Sequence, residues 1–307
     1  MISPVAGAIN RARLGFPEYY FRGTGGIGDD LLCSTVFREL KQRGSCRIVF
    51  TTPRSELFEY NRDANKIFSY QRTRLDYWLR KGLPFIRLAY TEYDPLRDAD
   101  KAPDEHILVK MCRLAGIVGR VELRPYLYLT PKELSAGKIG ARQVVIQSSG
   151  LSSANVMRNK EWYPQRFQEI CAKLCPDFTI VQLGSTKDPK LEGAIDLRGQ
   201  TNFRQSAAIM ANSLVFVGLV GFMMHLARSV DCRAVIIYGG REKPEQTGYV
   251  ANKNLYSPVP CAPCWLRNPC DFDHKCMNMI TTQQVITATL EQIACVGSPL
   301  EVEIADI

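Results

Sequence analysis

Several features are missing from this chain of 307 residues, and each absence narrows what the protein can be. No apolar run approaches the roughly eighteen residues that a membrane-spanning helix needs. The N-terminal stretch is a poor signal peptide, because Pro4, Arg11 and Arg13 interrupt any apolar centre. There is also no repeat of solenoid period and no low-complexity tract. We therefore expect a cytoplasmic globular protein of a length that ordinarily forms two domains.

The chain also lacks any dense run of basic residues, although its net charge is positive. Lys and Arg number 39 against 31 for Asp and Glu, which gives a formal net charge of +8. Such an excess favours acidic partners such as nucleotides, phosphorylated glycans or an anionic membrane surface, or it serves solubility alone. Because the basic residues are scattered, nucleic acid is not expected as a partner. The oligomeric state stays open.

The segment Leu214–Gly240 carries the clearest pattern in the sequence. An apolar run, Leu214–Val217, leads to Gly218 and Gly221, a helical pattern follows, and Ala234–Tyr238 is rich in β-formers. This order predicts a strand, a tight turn, a helix and a second strand. Unpaired N–H groups and the helix dipole both attract anions to such a helix start. The sequence therefore predicts a phosphate or diphosphate site after the glycines.

A second glycine loop lies near the start of the chain. It is Gly23-Thr-Gly-Gly-Ile-Gly28, between a predicted strand (Tyr19–Arg22) and a predicted helix (about Asp30–Arg43), with a strand at Arg47–Thr51 after it. The loop matches the dinucleotide fingerprint G-x-G-x-x-G in the strand-to-helix context that this fingerprint requires.

The remaining elements continue the alternation of strands and helices. Strands are predicted at Gln143–Gln147 and Phe178–Leu183, helices at Glu105–Ala115, Pro164–Leu174 and from an N-cap at Thr201 to Ala211, and a connector at Arg124–Arg142. This alternation argues for parallel sheets. We expect an α/β fold of two Rossmann-like domains, residues 1–136 and 137–307, whose parallel sheets face a central cleft that binds ligands.

Two observations oppose a nicotinamide cofactor at the first glycine loop. Asp29 and Asp30 would occupy the first helical turn, where they would repel a pyrophosphate. The strand that follows offers Arg54 in place of a ribose-binding acid, which suits at best a phosphorylated ribose. An NADP-dependent oxidoreductase stays an alternative. A carboxylate at a loop tip suits another task, since Asp29 can act as a general base for an attacking hydroxyl or can simply favour the helix N-terminus.

Four stretches occur in the order found in glycosyltransferase family 9, the heptosyltransferases, and resemble that family's motifs. They are Gly26-Ile-Gly28-Asp29-Asp30-Leu31-Leu32, Lys160-Glu-Trp162-Tyr-Pro164, Asp196-Leu-Arg-Gly199 and Val217-Gly218 with His225-Leu226-Ala227. The resemblance implies a GT-B fold and an inverting transfer of a sugar from a nucleoside diphosphate donor, with ADP-heptose as the first choice. The acceptor would be a hydroxyl on a glycan, a lipopolysaccharide core or a protein.

The resemblance also implies roles for single residues. The acceptor side would consist of the general base Asp29 and the loop glycines Gly26 and Gly28. On the donor side, Lys160 would neutralise phosphate charge, although a solvated surface lysine is the alternative. The other donor-binding residues would be Gly184, Gly218, Gly221, Phe222, Met223, His225 and Gly240, with a buried core histidine as the alternative for His225.

One departure from the family pattern concerns the start of the donor helix. Family members usually carry an acid, a hydroxyl residue and a glycine there, whereas this chain reads Val220-Gly221-Phe222. The missing acid removes side-chain hydrogen bonds but leaves the backbone donors. A non-catalytic binding or scaffold protein with the same fold is therefore a further alternative.

Four of the eleven cysteines cluster at Cys261, Cys264, Cys270 and Cys276, among prolines that force tight turns. This spacing suits a tetrahedral metal site with four thiolate ligands, and in a reducing cytoplasm a metal is favoured over disulfides. We expect a structural iron or zinc ion in this finger, residues 261–276, and no catalytic metal. The resemblance includes autotransporter heptosyltransferases whose cysteine finger holds iron.

Overall fold

The structure is a computed structural model that describes residues 18–23, 25–69, 85–153 and 155–307. The N-terminal segment that makes a poor signal peptide lies outside the described residues. Strands and helices alternate along the described parts, so the predicted α/β class is confirmed. No helix in these ranges is long and apolar enough to cross a bilayer.

The N-terminal half is built on a parallel three-stranded sheet. Its elements, in chain order, are β1 (Tyr19–Arg22), α1 (Ile27–Arg43), β2 (Ile48–Thr52), β3 (Lys66–Ser69), β4 (Tyr93–Asp94), β5 (Ala99–Asp100), α2 (Ile107–Leu114), β6 (Arg120–Glu122) and α3 (Pro131–Ala136). The sheet order is β1-β2-β3, and β4 and β5 form a separate antiparallel hairpin. Helix α1 packs on the sheet through Phe37, whose ring contacts Phe21 and Phe50.

The C-terminal half is built on a six-stranded sheet in which every neighbouring pair is parallel. Its elements are β7 (Gln143–Ile146), α4 (Pro164–Leu174), β8 (Thr179–Gln182), β9 (Ile195–Asp196), α5 (Phe203–Ala211), β10 (Val215–Leu219), α6 (Phe222–Ser229), β11 (Ala234–Gly239), α7 (Pro244–Thr247), β12 (Asn252–Tyr256), α8 (Lys275–Asn278), α9 (Thr282–Ala294) and β13 (Ile304–Asp306). Strand order is β12-β11-β10-β7-β8-β9. The central strands β10 and β11 are buried throughout, as expected for strands that are covered on both faces.

The two halves share contacts and part of their core. Strand β13, at the end of the chain, does not join the six-stranded sheet but pairs antiparallel with β6. Helix α1 packs against α6, and one apolar cluster includes residues of both halves, such as Phe37 and Leu226. The boundary at residue 136 stays a prediction, but the last strand of the predicted C-terminal domain lies against the N-terminal half.

Three local predictions differ from the structure. The connector Arg124–Arg142 contains the short helix α3, which begins in a capping box between Thr130 and Glu133. Helix α5 is capped by Asn202 and not by Thr201, because the Asn202 side chain accepts the Gln205 N–H. Strand β10 extends to Leu219 and therefore contains Gly218, which was expected in the turn.

Candidate donor and acceptor site

The structure brings the two glycine loops into contact. A Cβ atom placed on Gly28 would lie 3.3 Å from His225 Cδ2 and 3.6 Å from Phe222 Cα. The first turn of α1 therefore lies against the first turn of α6, and a glycine at position 28 permits this close approach. Asp29, the next residue, is thus held beside the predicted phosphate-binding helix start.

Asp29 uses both carboxylate oxygens in the described structure. Oδ2 accepts the Gly26 N–H at 2.6 Å, and Oδ1 accepts the Tyr90 hydroxyl at 2.7 Å. The contact with Gly26 is the one expected if Asp29 only stabilises the start of its helix. The same contact also holds the carboxylate in one position. Desolvation and the Asp29 carboxylate raise the pKa of Tyr90 well above its usual value, so this hydroxyl keeps its proton and donates it. Sequence reasoning missed Tyr90, because no local pattern links it to Asp29.

Asp30, in contrast, points into the protein. It is buried and accepts hydrogen bonds from Thr52 Oγ1 at 2.6 Å and from Arg54 Nη1 at 2.8 Å. Burial raises the pKa of Asp30, although both partners favour its charged form. Arg54 therefore already neutralises a buried carboxylate. This contact removes the support that Arg54 gave to a phosphorylated ribose and an NADP-dependent oxidoreductase.

Helix α6 begins without any side-chain cap. Gly221 is the N-cap residue and has a φ of 156°, a region that favours glycine. Its carbonyl accepts the amides of Met224 and His225, at 3.1 and 3.3 Å, so the amides of Phe222 and Met223 have no partner within the helix. The first turn has no acidic residue. No side chain therefore offsets the positive end of this helix, and its role as the donor phosphate site stays a prediction.

The residues around this helix start explain part of the departure from the family motif. Val220 is buried and packs into the apolar core, where the family pattern led us to expect an acid. The Phe222 ring lies edge-on to Phe203 at 5.1 Å. Gly218 lies inside β10, where a Cβ atom would come within 2.4 Å of the Phe216 ring. Gly218 therefore has a packing role, and its contact with a donor stays a prediction.

His225 is buried and has a polar partner. Its Nδ1 lies 2.6 Å from the Tyr249 hydroxyl. Burial, followed by the charge of Lys160, lowers the pKa of His225 to about 3. The imidazole is therefore neutral at physiological pH and offers hydrogen bonds but no charge to a phosphate. Burial and the contact with Tyr249 fit the core-histidine alternative.

Lys160 is not a solvated surface lysine. Its Nζ lies 2.6 Å from a carboxylate oxygen of Glu242, which is buried and also pairs with Arg241. Burial would raise the pKa of Glu242, but Lys160 and Arg241 outweigh that effect and lower it to about 2. Burial lowers the pKa of Lys160. The lysine is therefore held in place by a charged partner that sequence reasoning did not identify. Unlike the Arg54–Asp30 pair, this ion pair belongs to a cluster of three cations (Lys160, Arg241 and Arg267) and two carboxylates (Glu242 and Asp100), which keeps one net positive charge.

Gly184 and Gly240 each sit where a side chain would collide with a neighbour. A Cβ atom on Gly184, whose φ is 132°, would lie 2.2 Å from Asp188 Oδ2. A Cβ atom on Gly240 would lie 2.8 Å from Cys276 Cβ and 3.0 Å from Ala262 Cβ. Their close approach to a nucleotide stays a prediction.

The cysteine finger lies beside the end of β11. The four cysteines are free thiols, and the Cys264 N–H donates to the Gly240 carbonyl at 3.2 Å. Burial raises the pKa of Cys264 and of Cys276, and neighbouring finger cysteines add to both shifts. Among the described residues, no three His, Cys, Asp or Glu side chains are arranged to hold a metal ion. The metal site of four cysteines therefore stays a prediction.

Comparison with known proteins identifies the fold. No protein-family model and no curated protein matches the chain. The ADP-heptose lipopolysaccharide heptosyltransferase II of E. coli superposes with a TM-score of 0.67 at 15% identity, over 90% of this chain and 98% of that one. A family 9 glycosyltransferase of Veillonella parvula DSM 2008 gives 0.68 at 13% identity, over 91% and 97%.

A third similar structure is TibC, an iron-containing dodecameric glycosyltransferase of enterotoxigenic E. coli H10407. It superposes with a TM-score of 0.68 at 16% identity, over 91% of this chain and 76% of that one. These likenesses confirm the fold that the sequence motifs predict. The chain has the GT-B fold of the heptosyltransferases and family 9 glycosyltransferases.

Proposed function

We propose that this protein is an inverting glycosyltransferase that moves a sugar from a nucleoside diphosphate donor to an acceptor hydroxyl. A heptose is the sugar that we favour. The observation that carries the proposal is the contact of Gly28 with Phe222 and His225. It holds a carboxylate beside a helix start that has no acid of its own. A base for the acceptor and an anion site for the leaving group are thereby adjacent.

In the proposed reaction, Asp29 takes the proton of the acceptor hydroxyl while the hydroxyl oxygen forms a bond to the anomeric carbon. The bond from that carbon to the phosphate oxygen breaks, and the diphosphate leaves with the bonding electrons. The amides of Phe222 and Met223 and the charge of Lys160 stabilise the leaving group, which is electrostatic preorganisation. Tyr90 orients the carboxylate of Asp29. Val220 supplies no hydrogen bond, so the backbone carries the phosphate contact.

Known complexes of similar structures support an ADP-linked donor. TibC has been solved with ADP-D-β-D-heptose, and the E. coli heptosyltransferase WaaC has been solved with ADP. We therefore propose ADP-heptose as the donor of this chain. The acceptor is a hydroxyl on a glycan, a lipopolysaccharide core or a protein, and the net charge of +8 favours an anionic acceptor or peripheral contact with an anionic membrane surface.

The test is a thermal-shift panel with ADP, GDP, UDP and CMP, followed by an assay of ADP release from ADP-heptose with candidate acceptors. ADP should raise the melting temperature most, because a ligand that binds only the folded state stabilises it by mass action. If no nucleotide raises the melting temperature and no ADP is released, the transferase proposal is wrong and the scaffold alternative gains support.

We also propose that the finger holds iron or zinc through Cys261, Cys264, Cys270 and Cys276, with a structural role only. Two of the four cysteines lie together at the end of β11, since the Cys264 N–H donates to the Gly240 carbonyl and a Cβ atom on Gly240 would lie 3.3 Å from Cys276 Sγ. The iron in TibC is a second support. Elemental analysis of the purified protein tests the proposal. Cys276→Ser should lose metal, and Cys295→Ser, at an exposed cysteine outside the finger, should keep it.

A further inference from the structure

One carbonyl of the cysteine finger receives hydrogen bonds from both sides of the predicted donor site. The Leu266 oxygen accepts Asn159 Nδ2 at 3.1 Å and Arg241 Nε at 3.0 Å. Asn159 directly precedes Lys160, and Arg241 directly precedes Glu242. The two residues that form the Lys160–Glu242 ion pair therefore each follow a residue that is bonded to the same finger atom.

Asn159 is attached to the finger by every part of its side-chain amide. The residue is 4% exposed. Its Nδ2 donates a second hydrogen bond to the Pro269 carbonyl at 2.8 Å, and its Oδ1 lies 3.0 Å from His274 Nε2. Its backbone N–H donates to the Arg267 carbonyl at 3.0 Å. These partners all lie in residues 266–274, so the finger determines where Asn159 sits.

The finger is equally attached to the segment that carries Glu242. The Trp265 N–H donates to the Arg241 carbonyl at 3.0 Å, and the Arg241 guanidinium also pairs with buried Asp100 of the N-terminal half. The Arg267 guanidinium binds the same Asp100 carboxylate at 2.6 Å. The finger stretch is thus held against β5 and the end of β11 and cannot shift without moving Arg241.

We propose that Asn159 is a positioning residue that couples the finger to Lys160 and thereby sets the lysine for the donor diphosphate. A lysine side chain is long and has many rotamers. The position of Lys160 Nζ is therefore fixed only if the lysine backbone and its ion-pair partner Glu242 are both held in place. The finger, through Asn159 and Arg241, fixes both. This inference rests on the proposed function, because it requires that Lys160 binds donor phosphate.

The test is a double-mutant cycle on ADP affinity, measured by calorimetry with the full chain. Asn159→Ala alone should weaken ADP binding about tenfold. In a Lys160→Ala background the same change should alter the dissociation constant by less than about twofold, because its effect acts through the lysine. Asn212→Ala is the matched control, since Asn212 Nδ2 also donates to two carbonyls, those of Leu134 and Ala208, at 2.8 Å each. It should leave ADP affinity unchanged.

The outcomes separate this inference from the proposed function. If Lys160→Ala weakens ADP binding and Asn159→Ala does not, the coupling is wrong and the transferase proposal stands. An equal loss in both backgrounds would show that Asn159 supports the fold in general, and this too overturns the coupling. If Lys160→Ala has no effect on ADP, the donor role of the lysine fails and the inference fails with it.

A second variant covers the case in which Asn159→Ala does not fold. His274→Asn removes one contact of the Asn159 amide and leaves its two carbonyl partners. His274→Asn should weaken ADP binding about threefold in the parent protein, in which Lys160 is intact, and should have no effect in the Lys160→Ala variant. An unchanged dissociation constant for ADP in the parent protein would contradict the proposed coupling of the finger to Lys160.

Discussion

Two helices of this protein begin after a glycine at the end of a parallel strand, and their first turns face each other. In α1 the Asp29 carboxylate turns back onto the Gly26 N–H, and Asp30 pairs with Arg54. In α6 the residue at the N-cap, Gly221, has no side chain, and the first turn has no acid. The first helix start is closed by its own carboxylate, and the second has no side chain that caps its amides.

This difference shows why a glycine-rich strand-to-helix turn is a weak indicator of phosphate binding by itself. Both turns supply backbone donors and a helix dipole. What separates them is the first helical turn, which carries two carboxylates in α1 and no charged side chain in α6. We propose that the first suits an acceptor hydroxyl and the second a phosphate. Four sets of variants test whether α1 serves the acceptor and α6 the donor, in order from the largest expected effect to the smallest.

The strongest test removes the charge of the α1 carboxylate. Asp29→Asn should lower the rate of sugar transfer by about 10² to 10⁴, because an amide cannot take the proton of the attacking hydroxyl. ADP affinity should change little, since Asn retains an oxygen for the Gly26 N–H. Single-turnover transfer and ADP calorimetry measure the two effects. An unchanged transfer rate would reduce Asp29 to a helix cap.

The next test removes charge on the donor side. Lys160→Ala should weaken ADP binding about 10- to 100-fold, the loss expected for a hydrogen bond between charged groups of roughly 1.5–3 kcal/mol. Lys253→Ala is the control, because Lys253 of β12 forms an exposed ion pair with Glu291 of α9 at 3.0 Å. It should leave the dissociation constant unchanged. Equal effects of the two variants would mean that ADP responds only to net charge.

The sequence was sufficient to predict the parallel α/β fold and the helix start at Gly221, because glycine spacing and apolar periodicity are local signals. The partners that complete the site are not local. Tyr90 reaches Asp29, and Glu242 reaches Lys160, from segments that are distant in sequence. No periodicity or motif links such pairs. Gly218 was misplaced for another reason: its contact with Phe216 is local, but the glycine was taken as the end of the strand, which continues to Leu219.

A third test makes the open helix start resemble the closed one. Phe222→Asp should weaken ADP binding about tenfold relative to Phe222→Asn, because the added carboxylate faces the diphosphate. The asparagine variant is the matched control, since both lose the ring contact with Phe203. The difference should shrink at high salt, where charges that are exposed to solvent are screened. Equal dissociation constants would show that the diphosphate does not bind at the start of α6.

The smallest expected effect concerns the protonation of His225, in the first turn of α6. Burial keeps the pKa of His225 at about 3, below the value near 6.5 of an unfolded chain. As the pH falls below 6.5, the unfolded state binds a proton that the folded state does not, so the free energy of unfolding decreases. Between pH 6.5 and 5.5 this residue should account for about 1 kcal/mol of that decrease.

His225→Asn should therefore lose less stability over this interval than the parent protein, as measured by urea unfolding at each pH. His106, whose pKa burial lowers to about 4, remains in both proteins and contributes equally to both. Identical slopes would mean that His225 takes up a proton in the folded state. The first turn of α6 would then carry a positive charge, on protonated His225, that could bind the donor diphosphate. The contrast between the two helix starts would then be one between the negative Asp29 and the positive His225, and no longer one between a charged and a neutral turn.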